Sequence, residues 1–170
     1  GIVLTQHNGD KRMKMASTTK IMTTLLALEY AQQDNMTVTF TKDMVAEGSS
    51  MYLKVGDKVK LTDLAAGMMM ASGNDAANAV SLSLAESFED FAGLMNHRAA
   101  EIGMKNTHFV TPSGLDDDMH YSTAYDMALL MAEAMKNQSF ISLTSSKEKT
   151  VSFVYPADRV VTYQNHNRLL

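Results

Sequence analysis

The chain has 170 residues, 45% of them apolar and 20% charged, which is the balance of a globular domain able to bury a sizeable core. A net charge of -4 with no basic block speaks against nucleic acid as a partner, and no uncharged run is long enough to span a bilayer. The absence of cysteine excludes disulfides, thiolate metal sites and a cysteine nucleophile.

Gly1 to Gln6 is apolar enough for a strand and begins as if already inside one, with no signal-peptide pattern. Asn8-Gly9 then makes a turn. Residues 17–32 are predicted as a helix, with Ile21, Leu25, Leu26 and Ala27 near helical spacing. Met36 to Phe40 alternates as a short strand, Thr41 to Ala46 fits one helical turn, and Val55-Gly56-Asp57 turns the chain into Lys58 to Leu61. Thr62 is expected to cap a helix over 63–70, and a further helix follows from Asp75 to Ala85. Ser87-x-x-Asp90 matches the capping-box pattern and opens a helix that Gly103 closes.

Thr107 to Asp118 reads as a loop. Thr123-x-x-Asp126 opens a helix over 124–136, Ser139 to Ser145 a short one. Val151 to Tyr155 and Arg159 to Gln164 flank a Pro156-Ala157-Asp158 turn as two short strands. Among the 15 methionines, Met68-Met69-Met70 and Met127, Met131 and Met135 suit adaptable core filling. The fold class is therefore mainly α, with few and scattered strands.

Ser17-Thr18-Thr19-Lys20 is S-x-x-K, and residues three apart share a helix face. A serine hydroxyl needs a base before it can act as a nucleophile. A lysine can serve when burial, a helix N-terminus or a neighbouring cation lowers its pKa. The same four residues also fit a plain N-cap followed by a solvated lysine. Ser72-Gly73-Asn74, between two apolar helices, has two readings as well. It is a loop in which Ser72 or Asn74 caps the next helix, or a site where Ser72 relays a proton and Asn74 holds a substrate amide. The two motifs together are much less expected by chance than either alone.

"ASTTKIMTTLLALE", "EGSSMYLKVGDKVKLTDLAAGMMMASGNDAANAV", "MNHRAAEIGMKNTHFVTPSGLDDDMHYSTAYDMALL" and "NHNRLL" resemble the serine D-alanyl-D-alanine carboxypeptidases, the low-molecular-mass penicillin-binding proteins of peptidase family S11. S-x-x-K with an S-x-N motif is the signature of penicillin-binding proteins and class A β-lactamases. Two features favour the carboxypeptidases: Gly73 stands in place of the lactamase aspartate, and the loop after Gly103 holds no E-x-x-x-N segment of the lactamase type. The resemblance implies the helical subdomain of the β-lactamase/transpeptidase-like α+β fold, with most of its antiparallel sheet missing. The chain would be one partial penicillin-binding domain, with a residual strand and turn over 1–16 and the S-x-x-K helix plus helical subdomain over 17–170.

The resemblance also implies roles. Ser17 would be acylated, Lys20 would be its general base, and Ser72 would pass a proton to the leaving group. Asn74, with Gly73 beside it, would bind the peptide stem, and Asn74 would reach Lys20. The backbone N–H of Ser17 would be one oxyanion donor. The substrate would be a peptidoglycan stem peptide ending in D-Ala-D-Ala, β-lactams would acylate the same serine, and no metal or organic cofactor is implied. The expected compartment is the extracytoplasmic bacterial cell envelope. Alternatives of the same fold are a penicillin-binding sensor without turnover and a β-lactamase. His120 and Asp126 are expected to brace a loop, Asp116 to Asp118 to form a solvated acidic turn rather than a calcium loop, and His7, His97, His108 and His166 show no metal-ligand spacing.

The family's third motif, K-T-G, is not among the 170 residues. In the family it follows soon after the segment that "NHNRLL" resembles, and its lysine binds the substrate carboxylate. A fragment is therefore expected, with weak or no carboxypeptidase activity on its own. Its exposed sheet-facing surface would invite self-association.

Overall fold

The computed structural model describes residues 2–167 and 169–170. Its centre is α1 (Lys20–Ala31), whose Met22, Leu25, Leu26, Ala27 and Leu28 are all buried. A helix that is apolar over most of its surface needs partners on several sides. α2 (Leu61–Ala71) and α3 (Asn74–Leu84) supply two of them through Leu64, Ala65, Met68, Ala76, Ala77 and Val80. The run of small residues lets these helices approach closely. α4 (Phe88–Ile102) adds Phe91, Met95 and Ala99, one turn apart. α5 (Ala124–Ala134) and α6 (Gln138–Thr144) close the helical layer with Leu130, Ala134 and Phe140.

Two antiparallel hairpins complete the described residues. β1 (Thr37–Thr39) pairs with β2 (Lys58–Lys60), with Val38 opposite Val59 and both buried. β3 (Glu148–Ser152) pairs with β4 (Val160–Gln164), placing Val151 opposite Val161. The helical character and the two small sheets agree with the expected fold class. So do the short turn at Lys42–Met44, the Ser87 and Thr123 caps, which accept from the N–H groups of Asp90 and Asp126, and the left-handed Gly103 that ends α4.

Four expectations need correction. Residues 2–6 form no strand (Gly1 lies outside the described residues), and Ile2 and Leu4 are exposed. A strand needs a partner for its backbone groups, and the nearby pairing is instead the single bridge between Met13 and Ser122. Thr62 does not cap α2, which begins at Leu61. The Thr62 N–H is satisfied from outside by Asn35 Oδ1 at 3.1 Å. Met131 on α5 and Met135 at its C-cap are exposed rather than core filling, whereas Met68 and Met70 are buried. β3 ends at Ser152 because the chain then turns to β2: Val154 N–H donates to the Lys58 carbonyl and Lys58 N–H to the Tyr155 carbonyl.

Candidate active site

The turn that carries Ser17 is a 3-10 turn, Ala16–Thr19, and the α-helix starts only at Lys20. With three residues per turn, side chains at i and i+3 eclipse one another. The tighter first turn therefore stacks Lys20 under Ser17 better than an α-helical turn would. No side chain caps this end; its N-cap position is Met15, and Ser17 lies inside the turn with its hydroxyl free for other work. Ala16, just before it, sits at φ +47°. Left-handed backbone at a non-glycine residue is a strained state that concentrates at functional sites.

Ser17 is exposed and Lys20 is buried, at 2% exposure. Lys20 Nζ lies 3.0 Å from Ser17 Oγ and donates to the Ser113 carbonyl at 2.9 Å. Burial lowers the Lys20 pKa from 10.5 to about 8, against the opposing pull of the Asp75 carboxylate. A neutral amine that donates one N–H to a fixed carbonyl can turn its lone pair toward a neighbouring hydroxyl. That is the arrangement general-base catalysis requires.

Ser72 ends α2 in a left-handed conformation, φ +52°. This turns its side chain across the gap to α1, where its Oγ donates to Ser17 Oγ at 3.0 Å. Gly73 is buried, and a Cβ on it would meet Asp75 Oδ1 at 2.9 Å and the Met51 N at 3.1 Å. Its place is that of a spacer that lets the 49–51 segment pack under the turn. Asn74 is nearly buried; its N–H donates to the Ser49 carbonyl and its side-chain amide to the Glu47 carbonyl at 2.7 Å. Among the described residues it makes no hydrogen bond to Lys20, contrary to expectation; the 47–49 backbone accepts its N–H groups instead.

Asp75, which sequence reasoning passed over, is buried and organises this corner. Its carboxylate accepts from Ser50 Oγ at 2.7 Å and from the N–H groups of Met51, Leu53 and Ala76 at 2.8, 3.0 and 2.9 Å. Tyr163 adds a hydrogen bond to the Met51 carbonyl at 2.8 Å, and burial pushes its phenol up to about 12. The third wall is the 110–114 segment. Thr23 Oγ1 donates to the Pro112 carbonyl at 2.6 Å. Gly114, at φ +87°, lies so close to the Ala16 carbonyl that a Cβ would overlap it.

Ser17 is thus brought within hydrogen-bond reach of both Lys20 and Ser72, with Asn74 on the adjoining turn. Ser113 and Asp75 were missed. The signal for Asp75 was its position next to Ser-Gly-Asn at a helix start. Nothing in the sequence marks Ser113, since it acts through its backbone carbonyl. His120 and Asp126 brace the loop as expected: Asp126 accepts from Asn106 N–H and Thr107 Oγ1, both at 2.7 Å. Asp116 to Asp118 are exposed, with Lys14 the nearby cation. No cluster of potential metal ligands occurs among the described residues.

The sequence model of the D-alanyl-D-alanine carboxypeptidases, peptidase family S11, matches residues 1–170. The chain belongs to this family. It is 35% identical to the carboxypeptidase DacF of Bacillus subtilis and 39% identical to DacC of Escherichia coli, in each case over 100% of the chain. It spans 44% of the length of each of these two curated relatives. Among solved structures of the family, the Streptomyces K15 DD-transpeptidase superimposes with a TM-score of 0.87 at 32% identity. The match covers 98% of this chain and 69% of that one. Penicillin-binding protein 6B of Escherichia coli gives a TM-score of 0.86 at 31% identity, over 99% of this chain and 55% of that one. These are penicillin-binding folds, so family membership and fold class agree with the resemblance read from the motifs.

Proposed function

We propose that the protein is a serine D-Ala-D-Ala carboxypeptidase in which Ser17 is acylated and Lys20 is the general base. The observation that carries this reading is Ser17 Oγ at 3.0 Å from both Lys20 Nζ and Ser72 Oγ, with the Lys20 pKa lowered by burial. Neutral Lys20 takes the Ser17 proton as Oγ attacks the carbonyl of the penultimate D-Ala. Ser72 passes a proton to the departing amine, the peptide bond breaks and D-Ala leaves. Water then hydrolyses the acyl ester and restores Ser17. The Ser17 N–H is one donor to the oxyanion; such donors are typically worth about 2.7 to 4 kcal/mol each. Asn74 borders the stem-peptide side, and Gly73 keeps the turn narrow.

The same attack on a β-lactam carbonyl opens the ring and leaves a stable acyl-enzyme. A substrate in peptidoglycan puts the protein in the bacterial cell envelope, outside the cytoplasm. The proposal extends to self-association of the 170-residue chain through exposed apolar residues such as Ile2, Leu4, Tyr155 and Val160, which sedimentation at increasing concentration tests. Residues 1–170 hold no Lys-Thr-Gly, so the full-length protein is the proper subject for activity. After incubation with benzylpenicillin, intact-mass measurement is expected to show one added penicilloyl group. Ser17→Ala should abolish it, and an adduct retained in Ser17→Ala refutes the nucleophile assignment.

A further inference from the structure

His120 is buried, at 2% exposure, in the loop before α5, and joins two walls of the site. Its Nδ1 faces two backbone donors, the N–H groups of Val110 at 2.9 Å and Thr111 at 3.3 Å. A ring nitrogen that receives N–H groups cannot itself carry a proton. The ring is therefore the neutral tautomer protonated at Nε2, and Nε2–H donates to Thr19 Oγ1 at 2.7 Å. Burial, which disfavours the charged ring, acts in the same direction. Thr19 is fully buried in the turn between Ser17 and Lys20. The other end of the clamped segment carries the Ser113 carbonyl, the acceptor of Lys20 Nζ.

We infer that His120 is a positioning residue for the Ser17–Lys20 pair: it fixes the 110–114 segment against the nucleophile turn and so sets the carbonyl that aims Lys20. This inference rests on the proposed roles of Ser17 and Lys20, and His120 touches neither. Gly114 packed on Ala16 and Thr23 bonded to Pro112 hold the segment near the helix. Neither of those contacts bonds the 19–20 turn to the segment that precedes Pro112. The imidazole supplies that bond, with one nitrogen for each side. Without it the Ser113 carbonyl has room to shift, and Lys20 loses the acceptor that orients its lone pair.

The test is the second-order rate of acylation by a fluorescent penicillin, measured from pH 6 to 10 on the full-length protein. The variants are His120→Ala, His120→Asn, Thr19→Val and Ser17→Ala, with thermal melting in parallel. His120→Ala is expected to acylate roughly tenfold to a hundredfold more slowly, the scale of a misplacement of about 1 Å. The midpoint of its pH profile should also change, because the surroundings of Lys20 change. His120→Asn keeps an acceptor near the position of Nδ1 and is expected to recover part of the rate. Thr19→Val removes only the acceptor of Nε2–H at nearly constant volume. It should slow acylation while melting as a folded protein, and it decides the matter should His120→Ala fail to fold. Wild-type rate and midpoint in a folded His120→Ala or Thr19→Val overturn the inference. Persistent labelling of Ser17→Ala overturns the underlying reading instead, so the two failures are distinguishable.

Discussion

Lys20 occupies a position that is unfavourable for a cation, buried at the positive end of a helix, and that position favours the neutral amine that the proposed base requires. With a pKa of about 8, about one molecule in ten carries the neutral amine at pH 7. Acylation by a β-lactam should therefore rise nearly tenfold per unit well below pH 8 and level off above it. Asp75 is the nearby carboxylate that raises the Lys20 pKa against burial. Asp75→Asn removes that charge while keeping an acceptor for the Met51 N–H, so the midpoint should move to lower pH. Stopped-flow acylation across the range measures it, and a midpoint that moves up refutes the assignment of Asp75 as the opposing charge. At this scale the sequence was legible only where chemistry is local. The Ser17–Lys20 spacing could be read directly, and Ser72 could be placed by its motif. The Ser113 carbonyl and the His120–Thr19 bond join positions about a hundred residues apart, and pattern carries no signal for a backbone acceptor. Asn74 was assigned to the peptide stem, with a reach to Lys20, by resemblance, whereas in the fold its N–H groups donate to the 47–49 backbone.

The helices were legible because their ends are written in short-range chemistry. Ser87 accepts the Asp90 N–H at 3.0 Å, Thr123 accepts the Asp126 N–H at 3.1 Å, and Gly103 ends α4 where a left-handed residue is needed. Ser87 is half-buried and lies beyond the far end of α3 from Ser72-Gly73-Asn74, so it isolates capping from catalysis. Ser87→Ala should cost about 1 kcal/mol of stability, read as a lower urea midpoint, with penicillin acylation unchanged. An equal midpoint would mean that the Ser87 cap contributes nothing beyond water. The elements misread were those whose identity depends on distant partners. Residues 2–6 look like a strand by composition but are unpaired among the described residues. The first two N–H groups of α2, those of Leu61 and Thr62, donate to the Met36 carbonyl and to Asn35 Oδ1, outside the helix. The exposed Met131 and Met135 have the composition of core residues, and only the packing of α5 reveals which of its faces is buried.

At the scale of the molecule, the site depends on the C-terminal end of α1 being held as well. Arg98 on α4 does this by donating to Glu29 on α1 at 2.7 Å and to Glu133 on α5 at 2.9 Å. The hydrogen bond to Glu29 is the main cause of a raised Arg98 pKa. Lys136 first, and Arg98 second, hold the Glu133 carboxyl below its ordinary value. Arg98→Ala leaves two carboxylates facing each other without their shared cation, while the apolar core around α1 is untouched. The expected loss is about 1 kcal/mol at neutral pH, because the pairs are partly solvated. Its pH dependence follows from the direction of the Glu133 shift. A depressed folded-state pKa gives stability that is present above the unfolded value, 4.5 for this group, and is lost as pH falls through the folded value. The gap between wild type and Arg98→Ala in urea unfolding should therefore be full at pH 6 to 7 and narrow below about pH 4.5. Added salt should narrow it too. A gap that stays constant down to pH 3 would show that Arg98 acts through the packing of its methylenes rather than through its charge.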